Sequence, residues 1–287
     1  MVDVIKASGL PEPFNEEKLC RSLMKTGADS ALVDSICRGV SRRVRTGMST
    51  DDIFGKAFLS LRRHDAQAAA RYHLRRSLLS LGPEGFLFER FIARVLQEYG
   101  YSVLTGQRVA GFCVLHEVDV VAVKDKKEIM VECKYHNTHG IRTDLKVAMY
   151  TFARFLDIQK ACEQNPSSSH AFHQPMLVTN TKCTQEAIRY AECQKMSVLS
   201  WGYPAQRGLE TLIVEKLLYP VAALPSYRAA GRGARLQDDT MFAKDIAALS
   251  PRELSSRWEE KGGTSHRRGK VASFPLTRPI RSYRVDT

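Results

Sequence analysis

Apolar positions keep a helical rhythm through the first hundred residues and a mixture of helical and strand-like rhythms after them. Val4, Ile5 and Lys6 predict a short strand, turned by Gly9, Pro11 and Pro13. Asn15 stands where a helix N-cap is favoured, with Glu16 and Glu17 in the first turn and Leu19, Leu23 and Met24 on one face. Val33, Ile36, Val40 and Val44 predict a second helix over 32–45, stopped by Gly47. Thr50-Asp51-Asp52 predicts the cap of a third helix carrying Ile53, Ala57, Phe58 and Leu61. A fourth is expected over 66–81, closed by Gly82-Pro83.

The next stretch, 85–101, is amphipathic, with Phe88, Phe91, Ile92, Val95, Leu96 and Tyr99 on the apolar side and Glu89 beside it. Strands are expected at 102–108, 117–123 and 128–136, the last two joined by the polar turn Lys124-Asp125-Lys126-Lys127. A helix follows over 143–161, its core stripe read as Leu145, Ala148, Met149, Phe152, Phe155 and Leu156. Strand 176–180, helix 184–195 and strand 197–201 make a βαβ unit, so these strands should be parallel. Farther on, 209–218 reads as one strand or helix, and 240–249 as a helix. Ser250-Pro251-Arg252-Glu253 carries a capping box for another helix, which Gly262-Gly263 ends. From residue 264 bases, serines and prolines predominate, and order there is expected to await a partner.

The chemistry concentrates on the hairpin. Side chains alternate along a strand, so Glu132 and Lys134 share a face that Cys133 does not, and Asp119 on the neighbouring strand lies within reach of both. Two carboxylates at a strand end offer hard oxygens to Mg²⁺ or Mn²⁺, and a lysine beside them can activate a metal-bound water or hold a phosphate. Glu117 is a competing ligand. Glu89 reads equally well as a partly buried helix acid paired with Arg90 or Arg94. His136 and His139 flank the second strand and His170 and His173 sit in a loop, but no cysteine or second helix-spaced pair completes a zinc set around them. His136 could touch a substrate phosphate.

Composition narrows the classes. The 287 residues are 44 % hydrophobic and 26 % charged, ordinary for a folded chain of two domains. Nothing approaches the ~20 apolar residues of a membrane span, and Met1-Val2-Asp3-Val4 opens no secretory signal, so a cytoplasmic protein is expected. Seven cysteines, never in a CxxC, argue against a disulfide framework or a structural zinc site. The net charge of +12 favours polyanionic partners, and residues 226–287 alone hold 13 bases against 7 acids.

Two resemblances follow from particular residues. Val4-x-Lys6-x-x-Gly9, Glu12-x-Phe14-Asn15-x-x-Lys18, Ser49-Thr50-x-x-Ile53 and Tyr72-His73-Leu74-Arg75-Arg76 resemble the ATP-cone, the regulatory domain of ribonucleotide reductases and their repressors. The resemblance implies a site for ATP or dATP at Val4, Lys6, Glu12, Asn15, Lys18 and Thr50. Ala7 stands where that family usually has an arginine. Gly85-Phe86-x-Phe88-Glu89, Tyr99-Gly100-Tyr101, Glu117-Val118-Asp119-Val120-Val121-Ala122 and Val131-Glu132-Cys133-Lys134 resemble the PD-(D/E)xK nuclease fold, in particular Mrr-like restriction endonucleases. That resemblance implies Asp119 and Glu132 as metal ligands, Lys134 as the catalytic lysine and Glu89 as an accessory catalytic acid.

The expected architecture is α+β or α/β: a small, mainly helical ATP-cone-like domain over 1–82, a restriction-endonuclease-like αβββαβ core over 84–202, and a connector with a basic helical tail over 203–287. The expected function is Mg²⁺-dependent DNA endonuclease activity of restriction or repair type, under ATP or dATP control. Duplex DNA held through its backbone is the expected partner, without a membrane, and a homodimer is compatible. The alternatives are a nucleotide-responsive DNA-binding protein with an inactive nuclease fold, or an RNA-processing nuclease.

Overall fold

The computed structural model describes residues 2–6, 8–82, 85–138, 140–165, 170–223, 240–250 and 252–253. The chain divides into two compact units, with the boundary between Arg75 and Arg76. No helix among the described residues is long and apolar enough to cross a membrane.

In the first unit β1 (Asp3–Ile5) pairs antiparallel with β2 (Pro11–Pro13). The sequence pattern hid β2, because prolines at both ends remove two of its three amides and leave only Glu12, opposite Val4, to donate. Four helices follow, α1 (Glu16–Met24), α2 (Ser30–Ser41), α3 (Thr50–His64) and α4 (Ala66–Leu79), the last of which runs across the boundary into the second unit. Asn15 caps α1 as expected, its Oδ1 accepting from the Lys18 amide at 2.8 Å. Asp29 caps α2, which starts at Ser30, two residues before its expected start. The cap of α3 is Ser49, not Thr50: its hydroxyl accepts from the Asp52 amide at 3.0 Å and donates to the Asp52 carboxylate at 2.7 Å. The core gathers Val4, Leu23, Val33, Ile36, Val40, Ala57 and Leu61. Cys20 on α1 and Cys37 on α2 form a disulfide, a single bridge that the sequence reading, which argued against a disulfide framework, did not anticipate. Their separation of 17 residues has no local signature; the packing of α1 on α2 brings them together.

After the end of α4 the second unit holds α5 (Phe86–Glu98), β3 (Ser102–Ala110), β4 (Leu115–Lys124) and β5 (Lys127–Lys134). It continues with β6 (Arg142–Thr143), α6 (Leu145–Gln164), β7 (Gln174–Thr179), β8 (Lys182–Cys183), α7 (Gln185–Cys193) and β9 (Ser197–Leu199). The central sheet runs β3-β4-β5-β7-β9. Its first three strands are antiparallel and the last three parallel, the β7–β9 pairing as the βαβ reading required. A mixed sheet of this order is compatible with a restriction-endonuclease-like core. Val121 and Met130 pack with Phe155 and Ile158 of α6. Against expectation Met149 and Leu156 are exposed, and the buried face of α6 carries Ala148, Thr151, Arg154, Phe155 and Ile158.

The unit reaches past residue 202. The hydroxyl of Tyr99 meets α8 (Leu209–Glu215), donating to the Leu212 carbonyl at 2.9 Å. Phe242, just before α9 (Ala243–Ala247), meets Phe91 of α5 edge-on at 5.5 Å. The expected 240–249 helix is thus shortened to five residues. The Ser250–Glu253 capping box is formed, with both reciprocal hydrogen bonds present. The helix it was to open, its Gly262-Gly263 stop and the basic tail from 264 lie outside the described residues.

The β4–β5 hairpin turns in two residues, Asp125 and Lys126, with φ of 50° and 61°. Positive φ at both positions is the type I′ geometry that matches strand twist and favours glycine at the second position. Lys126→Gly should therefore raise stability by about 0.5–1 kcal/mol in urea denaturation, and Lys126→Val should lower it by at least about as much. An unchanged midpoint for both variants would contradict this reading of the turn.

Candidate active site

The site lies where β4 and β5 separate. Their ladder runs from Lys124↔Lys127 to Val120↔Val131 and stops. Beyond it β4 stays with β3, and β5 stays with β7 through Glu132, Cys133 and Lys134. Into this fork Asp119 turns its carboxylate, whose Oδ2 accepts from the Cys133 amide at 2.7 Å. The side chain thereby satisfies a backbone donor that the missing ladder leaves. The Glu132 carboxylate takes a hydrogen bond from Arg154 of α6, and the same guanidinium donates to the Glu117 carbonyl. Glu89 approaches from α5, close enough for its charge to act on Glu132.

Burial pushes the Glu132 carboxyl up to about 7; Asp119 and Glu89 add to the rise, while Arg154 and Lys134 oppose it. Glu89 is likewise raised to about 7, by burial first and then by Asp119 and Glu117. Asp119 is raised by burial against the counteracting Cys133 amide and Arg154. Carboxyls that hold protons because of burial and one another are matched to a hard cation, which can replace those protons. Among the described residues no three His, Cys, Asp or Glu side chains are already assembled around a common metal position. The donor set fits Mg²⁺ all the same, because this ion takes one or two carboxylates and keeps several waters. Asp119 and Glu132 are the two carboxylates of the fork; the Glu117 side chain, read as a competitor, is on the site's rim and raises its neighbours' pKa. Lys134 ends β5 with its side chain exposed, close enough for its charge to lower the Glu132 pKa.

Other candidates have structural work. His136 Nε2 lies 3.1 Å from Thr143 Oγ1, and burial, followed by the Lys134 charge, lowers its pKa. His170 and His173 both fasten Glu128 at the start of β5, the latter accepting its amide at 3.1 Å. His139 lies outside the described residues. Cys133 is buried, and burial pushes its thiol well above the ordinary value, so it is no nucleophile.

In the first unit, Lys6 and Lys18 both reach the Glu12 carboxylate, at 2.7 and 3.6 Å, and Lys6 chiefly holds its pKa below the usual range. The bridge between Ile5 and Ser49 sets the start of α3, where Thr50 stands, beside β1. Asn15 spends its side chain on the α1 cap, and Val4 is 2 % exposed, leaving only its backbone to a ligand.

Sequence reasoning missed Arg154. Its one available signal was a charge three residues from Thr151 and four from Ile158, within the face that α6 buries.

Residues 82–201 match a family model described as restriction endonuclease, Mrr_cat. An uncharacterized protein of Archaeoglobus fulgidus is 44 % identical over 133 residues, which cover 46 % of this chain and 71 % of that protein. The crystal structure of a protein of unknown function, AF1548, superposes with a TM-score of 0.50 at 34 % identity, covering 61 % of this chain and 89 % of the other.

Proposed function

The chain belongs to the restriction endonuclease family through residues 82–201, and from that premise we propose that it is a Mg²⁺-dependent DNA endonuclease. The observation that carries the proposal is the fork that brings Asp119, Glu132 and Lys134 to one strand end. Asp119 and Glu132 would hold the metal, whose chemistry there is Lewis-acid polarisation of the phosphate and acidification of a water. Lys134 places a positive charge where the phosphodiester gains negative charge, and it orients the water for in-line attack. Glu89, which burial raises to about 7 in the metal-free protein, would accept the proton of the attacking water. The P–O bond to the leaving strand breaks, and solvent protonates the departing oxygen.

Parallel incubation with plasmid DNA and structured RNA tests this reading. Cleavage of DNA supports it. Preferential cleavage of RNA would reassign the chain to RNA processing, and binding without cleavage of either would make it a DNA-binding protein with an inactive fold.

Regulation by ATP or dATP is part of the proposal. Its support is the convergence of Lys6 and Lys18 on Glu12, two solvent-exposed ammonium groups on a unit in which the Ile5–Ser49 bridge sets the start of α3 beside β1. In calorimetry on the full chain Lys18→Ala should weaken nucleotide binding by about 1–3 kcal/mol, the scale of a charge-assisted contact. No heat with either nucleotide would return this unit to a structural role. The homodimer and the DNA-backbone contacts of the basic tail remain expectations of the sequence.

A further inference from the structure

We infer that Arg154 is a positioning residue for the metal-binding carboxylates: it holds Glu132 in ligating orientation and keeps the β4–β5 fork open. The inference rests on the nuclease reading above and adds a residue of α6 to a site built from α5, β4 and β5.

Three observations carry it. The first is location. Arg154 is 8 % exposed on the buried face of α6, between Thr151 and Ile158. A guanidinium taken from water is costly unless its charge and donors are matched, so its contacts decide what it does there.

The second is what it touches. One terminal nitrogen, Nη1, donates to Glu132 Oε2 and the other, Nη2, to the Glu117 carbonyl. Those residues lie on opposite arms of the fork, beyond the last ladder pair, Val120↔Val131. Glu117 pairs with Arg108 of β3 on its other side, and Glu132 pairs with Leu177 of β7. The guanidinium therefore spans the gap that the absent rungs leave. Closing the arms would expel it, and removing it would leave a backbone carbonyl and a carboxylate without their donor.

The third is rigidity. The guanidinium carbon lies 5.3 Å from the centre of the Tyr150 ring, one turn back on the same helix, and Nε has no hydrogen-bond partner among the described residues. The planar group is thus fixed by its two terminal contacts and the ring. Lysine has a single nitrogen and cannot reproduce two donors set at a fixed angle. With Oε2 engaged by Arg154, Oε1 is the Glu132 oxygen left for a cation.

The test uses the full chain with Arg154→Lys and Arg154→Gln, following plasmid cleavage as a function of Mg²⁺ and, separately, Mn²⁺ binding by calorimetry without DNA. Both variants should raise the half-saturating Mg²⁺ concentration roughly 10-fold or more, and weaken Mn²⁺ by a similar factor, while KM for DNA stays near wild type. Arg154→Lys should recover only part of the loss. Wild-type half-saturation in a folded Arg154→Gln protein, or complete rescue by lysine, would overturn the positioning role. Should neither variant fold, NMR of wild-type protein decides: Mg²⁺ should shift the Arg154 guanidinium resonances, and unshifted resonances at saturation would overturn the inference. A wild-type protein that binds no Mn²⁺ and cuts nothing would overturn the nuclease reading and this inference together. Wild-type cleavage with metal-insensitive variants would overturn this inference alone.

Discussion

Asp119→Asn should abolish Mg²⁺-dependent cleavage, a loss on the order of 10³-fold or more, with the fold intact. The substitution keeps the side chain's shape, and the amide oxygen of asparagine can still accept from the Cys133 N–H that Oδ2 now takes at 2.7 Å. Only the charge that faces the cation disappears. Lys134→Ala should cost roughly 10²-fold, the scale of losing one preorganised charge-stabilising group, with little change in stability because the residue is exposed. At Glu132 the choice of replacement matters. Glu132→Ala strands the buried Arg154 without its counter-charge, which typically costs about 3–5 kcal/mol, so a dead Glu132→Ala protein proves little. Glu132→Gln retains an acceptor for the guanidinium and is the informative variant. Gel assays of plasmid cleavage, run beside thermal melts, check all three. A fully active Asp119→Asn or Glu132→Gln protein would remove these residues from the metal site.

The second large effect is on stability. Glu89 and Glu132 stand near pKa 7 in the folded protein, burial being the larger cause for both, against an ordinary value of 4.5. Between those values the folded state binds more protons than the unfolded state, so stability falls as pH rises through that window. The stabilising contribution is fully present below about pH 4.5 and lost above about pH 7, on the order of 3 kcal/mol for the interacting pair. Measured against a Glu89→Gln/Glu132→Gln double variant, metal-free wild type should lose several degrees of Tm from pH 5 to pH 8, at roughly 2–4 °C per kcal/mol. Saturating Mg²⁺ should restore that loss at pH 8 and do little at pH 5, where protons hold the ligands. Parallel Tm curves for the two metal-free proteins would contradict the raised carboxyls.

Much of this molecule was legible from local pattern. The Asn15 cap, the amphipathic α5 and the polar turn between β4 and β5 are decided by neighbouring residues, which is what sequence displays most directly. The Asp119, Glu132 and Lys134 placement followed from strand alternation across a short hairpin. Where the outcome depends on distant partners, local pattern was insufficient. The prolines of β2 argued against a strand, yet an edge position needs only the Glu12 amide. On α6 the apolar side chains of Met149 and Leu156 drew the stripe to the wrong face, because the true face accommodates a buried arginine. Arg154 finds its acceptors 22 and 37 residues away, and only the assembled fork shows why a charge belongs there. The Cys20–Cys37 disulfide has the same origin in helix packing.

The most direct test of the central claim is conversion of supercoiled plasmid by the purified full chain, titrated with Mg²⁺ and repeated with EDTA. The expected result is nicked or linear DNA that appears with saturable dependence on Mg²⁺, vanishes with EDTA and is absent for Asp119→Asn at every concentration. Cleavage that survives EDTA, or plasmid left intact by wild type throughout Mg²⁺ and Mn²⁺ titrations, would contradict it.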